Sequence, residues 1–426
     1  MFPVELVDTI VDYLHNDKAS IISCSLVSKT WAISSRYHLF RVVFLRRGPD
    51  DDGIDRFFQF IHSPWGNICC PFVRGLRITG HMSHNVLQLD PIIDLHTLGA
   101  VVNMLPRLEA LELKSVAWPG LEAGSSAPPT SASVKSLTVT HLSMWVFSSV
   151  EDVMDIFHVF PNLRAIRTHD IIWRHPCRTK PAHALRRPYP TELRLEAIVF
   201  RACTGITWSF IEFAQRALNF EALTSLSIWQ LEVGDVKALG KFLSQVGGNL
   251  RYLHLKLSQI RFIDGEAERV YLQFIPCRLF LLLMYWFSTA SPEEIWPLLN
   301  LSDCTALDTF SLFIPMDDDP LINGPAIDFV PYWDSVLLIL VQLPLSIKGL
   351  RIGLEVLDED FLEELVLDLD WDWIDAHLQR LPELKTVRFL RESRWEENLK
   401  EELPAWIENS LSRWLPMLKA TDILRF

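Results

Sequence analysis

The chain has 426 residues, 49% of them hydrophobic and 22% charged, with a net charge of −13. That balance excludes a disordered chain, supplies a large core, and excludes non-specific nucleic-acid binding through the whole surface. No secretory leader and no run near the ~20 apolar residues of a membrane span is found, and the seven cysteines lack a Cys-x-x-Cys pair, so a cytoplasmic or nuclear protein is expected.

Taken in chain order, the first 44 residues predict three short helices. Pro3 sits where a first helical turn needs no N–H donor. Leu6, Ile10 and Leu14 follow at spacing four, with Val7, Val11 and Tyr13 beside them, which makes an amphipathic helix. Asp17 and Ser20 offer caps for a second helix carrying Ile21, Ile22, Cys24, Leu26 and Val27. Ser28-Lys29-Thr30-Trp31 opens a third, closed by Leu39-Phe40. So short a unit has more apolar faces than it can cover alone, and it should dock onto something.

This segment resembles an F-box, the motif that joins a substrate receptor to a Skp1–cullin ubiquitin ligase. The residues that carry the resemblance are Pro3, Glu5, Ile10, Leu14, Leu26, Val27, Lys29 and Trp31. Phe2 stands where the family has leucine. The resemblance implies a Skp1-like adaptor as partner and, through it, a cullin. It assigns the adaptor contact to Pro3, Leu6, Ile10, Leu14, Leu26, Val27 and Trp31. The alternative is a hairpin that caps its own domain, with the apolar stripe buried against residues 45–110.

Beyond residue 45 an apolar pattern recurs at offsets 0, +3 and +5, as in Leu108, Leu111 and Leu113. It returns at Val73, Val134, Leu195, Leu223, Leu250, Leu307, Ile347 and Leu384, and at Leu163 and Ile166 with Thr168 in the third place. Starts from 108 to 250 lie 26 to 32 residues apart, whereas 307 follows 250 by 57. A further unit is therefore expected near 278, at Leu279, Leu282 and Met284. Helical faces lie between these strands at 152–160, 235–246, 292–301 and 333–343. One strand and one helix per 26–40 residues resembles a leucine-rich-repeat solenoid, degenerate and without the usual asparagine position. The alternative is an ordinary α/β domain.

Loops are expected at the Gly/Ser/Pro-rich stretch 123–133, the basic stretch Arg174–Arg187 and the acidic turn Asp317–Asp319. The last segment, Trp395–Leu418, reads as an amphipathic helix with Trp395, Leu399, Leu403, Trp406 and Leu411, an end cap for the array. The fold expected is α/β: a three-helix F-box over 1–45, a leucine-rich-repeat-like βα solenoid over 46–394, and a C-terminal helical cap over 395–426. The two ends also resemble the expanded F-box families of mushroom-forming fungi, through Ser34–Phe40 and the run from Trp371 through Ile374, Asp375, Leu378 and Leu381 to Leu384.

Chemistry-bearing motifs are few. The run Asp368, Asp370, Asp372 and Asp375 is similar to the Asp-x-Asp-x-Glu string of some glycoside hydrolases, but position 365 is leucine and no glutamate follows Asp372 at the acid position. An acidic entry to a helix explains it more simply. His81 and His84 have no nearby third ligand, so no metal is expected, and no cofactor motif is found. No catalytic residue is assigned, and a non-catalytic subunit is expected. Repeat offsets +4 and +6 should line the open face of the strands. They hold Arg77, Arg167, His254, Arg351 and Arg388, and Lys114, His169, Arg201, Trp229 and Lys256, with one acid, Glu112. In so acidic a chain this bias predicts an electropositive face for an acidic or phosphorylated protein substrate. The opposing view is that these side chains cover strand edges and pair with nearby acids.

Overall fold

The structure is a computed structural model. It describes residues 3–47, 53–80, 93–118, 121, 126–142, 150–169, 193–201, 210–211, 215, 218–231, 233–257, 292–316, 331–356, 370–392, 400–401 and 405–425. These form two compact units: Met1–Glu196 with Arg201–Asn219, and Ala197–Phe200 with Phe220–Phe426. The fold is mixed α/β, built on parallel strands taken in sequence order.

The first unit opens with three helices, α1 (Val4–Tyr13), α2 (Lys18–Ser25) and α3 (Lys29–Phe40). Asp17 caps α2 by accepting from the amides of Ala19 and Ser20, each at 3.1 Å, and from the Ser20 hydroxyl at 2.6 Å. The Ser20 bonds hold the Asp17 carboxyl below its usual range. Five parallel strands follow: β1 (Val42–Arg47), β2 (Gly75–Gly80), β3 (Ala110–Lys114), β4 (Ser136–Thr140) and β5 (Ala165–His169). Helices α4 (Gly53–Ile61) and α5 (Pro64–Cys69) join β1 to β2. Helix α6 (Leu95–Asn103) joins β2 to β3, and α7 (Val150–Met154), extended by a 3₁₀ turn, joins β4 to β5.

The second unit holds β6 (Ala197–Arg201), β7 (Ser225–Leu231), β8 (Tyr252–Leu257), β9 (Thr309–Met316), β10 (Gly349–Val356) and β11 (Thr386–Glu392). Its crossovers carry α8 (Val233–Val246), α9 (Pro292–Ile295), α10 (Pro331–Leu340) and α11 (Trp371–Leu378). Gly240 in α8 is obligatory, because a Cβ there would lie 1.7 Å from the Leu298 carbonyl oxygen of the 3₁₀ turn packed on it.

The second and third members of the apolar triplets fall within the described strands β2–β11, with Thr168 in the third place of β5. Leu76, Leu111, Leu137 and Ile166 are Cα partners across the first unit, and Leu226, Leu253, Phe310, Leu350 and Val387 across the second. All are buried, while alternate residues face outward. Parallel strands covered on both faces read as continuous apolar runs. These alternate, so only one face of each sheet segment is packed under helices. Each buried leucine stabilises the fold by about 1.5–3 kcal/mol.

The repeats are also tied at their strand entries. Two successive amides donate to one carbonyl of the preceding repeat: Glu109 and Ala110 to Arg74, Arg164 and Ala165 to Lys135, Lys385 and Thr386 to Lys348. In several repeats the first apolar residue closes a tight turn from a buried residue three positions earlier, as in Leu105–Leu108, Phe160–Leu163 and Cys304–Leu307. Burial pushes the Cys304 thiol up to about 12.

Two expectations are corrected, and a third falls outside the described residues. The unit expected at Leu279, Leu282 and Met284 lies outside the described residues, and β8 pairs directly with β9, Tyr252 opposite Thr309. β8 and β9 are therefore neighbours in the sheet, with no strand between them. The boundary expected at 45/46 falls inside β1, which pairs with β2 from Val42–Gly75 to Arg47–Gly80. The helix expected over 395–418 begins only at Ala405: Lys400–Glu401 is instead β12, antiparallel to β11. There α12 (Ala405–Trp414) and α13 (Pro416–Ala420) are separated at Leu415, because Pro416 cannot donate to a continuing helix.

Candidate interaction surfaces

Helix α1 carries two apolar stripes, not one. Val7 and Val11 point inward and form a small core with Ile21, against which Leu14, Cys24, Trp31 and Leu39 pack. One position earlier along the helix, Leu6 and Ile10 face solvent, 51% and 41% exposed. Leu26 and Val27, just past α2, are 82% and 65% exposed. Pro3 is exposed as well. Of the residues assigned to adaptor contact, five are therefore open, while Leu14 and Trp31 serve the internal core. Exposing this many large apolar side chains is unfavourable for an isolated unit.

Polar contacts clasp α1 to α3 on a third side. Asp8 accepts from the Ser34 hydroxyl, and the His38 imidazole meets Asp12 at 2.8 Å. They wall a cavity of about 410 Å³ together with Val4, Ile33, Tyr37 and Phe72.

The outward strand positions form ordered rows. In the first unit Phe44, Arg77, Glu112, Thr138 and Arg167 lie in register. Arg77 donates to Glu112 at 2.6 Å and lies over the Phe44 ring. Here the predicted basic residue is exposed but paired with an acid. Lys114 and His169 lie in the next row, half-buried, and His169 packs edge-on against His141. Arg201 closes β6, also half-buried.

In the second unit Trp229, His254 and Phe313 form an aromatic cluster, with Trp229 and His254 stacked at 4.7 Å and His254 to Phe313 at 4.7 Å. Lys256 lies over the Trp229 ring at 5.4 Å. In the row of His254, Ser311, Arg351 and Arg388 are in register, and the short β13 (Leu424–Arg425) adds Arg425 beside Arg388. Arg351 and Arg388 are exposed. Sequence reasoning missed Phe44, Ser311 and Phe313, although repeat offsets mark the last two. It had no signal for Arg425, which a two-residue strand brings in from outside the array.

The carboxylate run has structural partners. Asp370 caps α11 through the Trp373 amide at 2.9 Å. Buried Asp375 accepts from the amides of Met417 and Leu418, at 2.8 and 3.0 Å, and so caps α13. Asp372 is exposed, and Asp368, His81, His84, the basic stretch Arg174–Arg187 and Asp317–Asp319 lie outside the described residues. Among the described residues no cluster of ligating side chains could hold a metal, and no helix is long and apolar enough to cross a membrane. No protein-family model and no curated protein matches the chain.

Proposed function

We propose that the protein is the substrate-recognition subunit of a Skp1–cullin–F-box ubiquitin ligase. In this reading α1–α3 are the F-box, and the strand–helix array is a leucine-rich-repeat-like solenoid with a helical cap. The observation that carries it is the second apolar stripe: Leu6, Ile10, Leu26 and Val27 remain open although α1–α3 have a core of their own. A hairpin that merely capped the array would bury that stripe. Such a surface suits a helix-in-groove interface dominated by a few anchors. The outward strand rows would then hold a protein substrate, and the protein would act by proximity, with chemistry supplied by the complex it recruits.

The test follows from the burial. Ile10→Asp with Leu26→Asp should abolish co-purification of a Skp1-like adaptor, at least a hundredfold, with the thermal midpoint unchanged. Leu14 is unsuitable for this purpose because it packs on the internal core. Undiminished adaptor recovery from the double variant would reject the assignment.

A further inference from the structure

We propose that Lys18 is a latch: its charge, acting on the ring of Phe44, fixes the orientation of helices α1–α3 on the strand array. The latch is argued from geometry within the first unit. Its use, holding the adaptor stripe at a set angle to the strands, rests on the substrate-receptor reading.

Lys18 is badly placed for its own helix. It is the first residue of α2, where a cation opposes the helix dipole, and no acid follows in that turn. Its ammonium lies 5.1 Å from the centre of the Phe44 ring on β1. Phe44 is badly placed too. It is a large aromatic on the first strand of the sheet, and it is 51% exposed. From the array side the Arg77 guanidinium lies over the same ring, also at 5.1 Å, and Arg77 is held by Glu112 at 2.6 Å. The ring is thus tied to β2 and β3 and presents π-electrons to a cation from α2. The Asp17 cap fixes the start of α2, and with it the root of the Lys18 side chain. Residues that break a local rule without local gain mark a constraint set elsewhere. Here one contact in space accounts for both.

The rest of the junction leaves room for movement. Helix α3 carries the backbone connection, running into β1 at Arg41, whose carbonyl accepts from the Arg74 and Gly75 amides. Beside α3 the helices do not close on the array. The cavity of about 410 Å³ is lined by Val4 of α1, Ile33 of α3 and, on the array, Phe72 of the 3₁₀ turn Cys70–Phe72. No residue of α2 lines it. Helices pivoting at Arg41 can tilt into that space, and Lys18 opposes the tilt from α2.

The test uses the full-length protein with two genetically encoded spin labels, at Tyr13 on α1 and at Arg107 ahead of β3, both exposed positions. Double electron–electron resonance reads the distance between them. The parent should give one distance peak. Lys18→Gln and Phe44→Leu should each raise the fraction of molecules outside that peak about two- to fivefold, the loss of one exposed cation–π contact. Lys18→Arg should keep the parent fraction. Lys18→Gln combined with Phe44→Leu should add nothing to either change, because the two residues act through one contact. An unchanged fraction in Lys18→Gln overturns the proposal. So does an equal rise in Lys18→Arg, or additive effects of the two substitutions. Adaptor recovery is read on the unlabelled variants. No adaptor recovered with the parent rejects the ligase reading and leaves the latch standing; unaltered distances with adaptor retained reject the latch alone.

Discussion

Ser115 follows β3 with φ of 51°, in the left-handed region, and is fully buried. Its hydroxyl has no hydrogen-bond partner among the described residues, while its amide donates to the Thr140 carbonyl at 2.9 Å. The left-handed conformation costs an L-residue about 1–2 kcal/mol, more if β-branched. Ser115→Gly removes that strain and the unsatisfied hydroxyl, against a loss of about 0.4–1 kcal/mol through the unfolded chain. It should raise stability by about 1 kcal/mol, and Ser115→Val should lower it by about 2 kcal/mol; urea midpoints decide. No sequence signal marked this residue, because the strain comes from the turn that carries β3 out of the sheet.

His377 shows how packing sets a titration. It stacks on Trp373 at 4.7 Å and its Nε2 donates to the Leu340 carbonyl at 3.3 Å. Burial pulls its pKa below the ordinary 6.5, outweighing that bond. The unfolded imidazole therefore takes up its proton at higher pH than the folded one. The contribution is complete above 6.5 and declines as pH falls through 6.5 toward the folded value. Stability measured at pH 7.5 and pH 5.5 should differ less in His377→Gln than in the parent; an unchanged difference would contradict the burial argument.

Among elements, the strands were the most legible part of the chain. Their alternation repeats at fixed offsets because each has one packed face and one open face. Helix α1 was less legible. Two apolar stripes one residue apart look like a single broad face in sequence, and only the position of Ile21 decides that Val7 and Val11 form the core. The C-terminal helix failed for a different reason: the pairing of Lys400–Glu401 with β11 outweighs the helical period of the segment.

Gly353 is the element-level test of the packing between β9 and β10. A Cβ there would lie 2.0 Å from the Phe313 ring, which rests on the bare strand. Gly353→Ala should displace that ring and break up its contact with His254, at a cost of about 1–3 kcal/mol. Tryptophan fluorescence should report the change through Trp229, which stacks on His254. An unaltered spectrum and stability would show that the ring does not cover the glycine.

On the scale of the whole molecule, β1 joins the helical segment to the array. Removing residues 1–41 should leave β1 in place to protect β2, giving a soluble, monodisperse protein without adaptor binding. Removing residues 1–47 strips β1 and leaves the β2 edge unpaired, an invitation to strand addition. The longer deletion should aggregate by light scattering where the shorter does not; identical behaviour would mean that β1 contributes little.

The sequence by itself determined the local periods: three N-terminal helices, the strand triplets with their register, and the acidic helix entry at Asp370. These depend on side-chain alternation and capping, which act over a few residues. Tertiary structure decided whatever depends on who lies next to whom. It paired β8 directly with β9 and turned Asp375 into the cap of α13. It neutralised Arg77 with Glu112, and it set Arg351 beside Arg388. The basic residues look alike along the chain; their partners are supplied by neighbouring strands tens of residues away, and only pairing in space separates a covered charge from an available one.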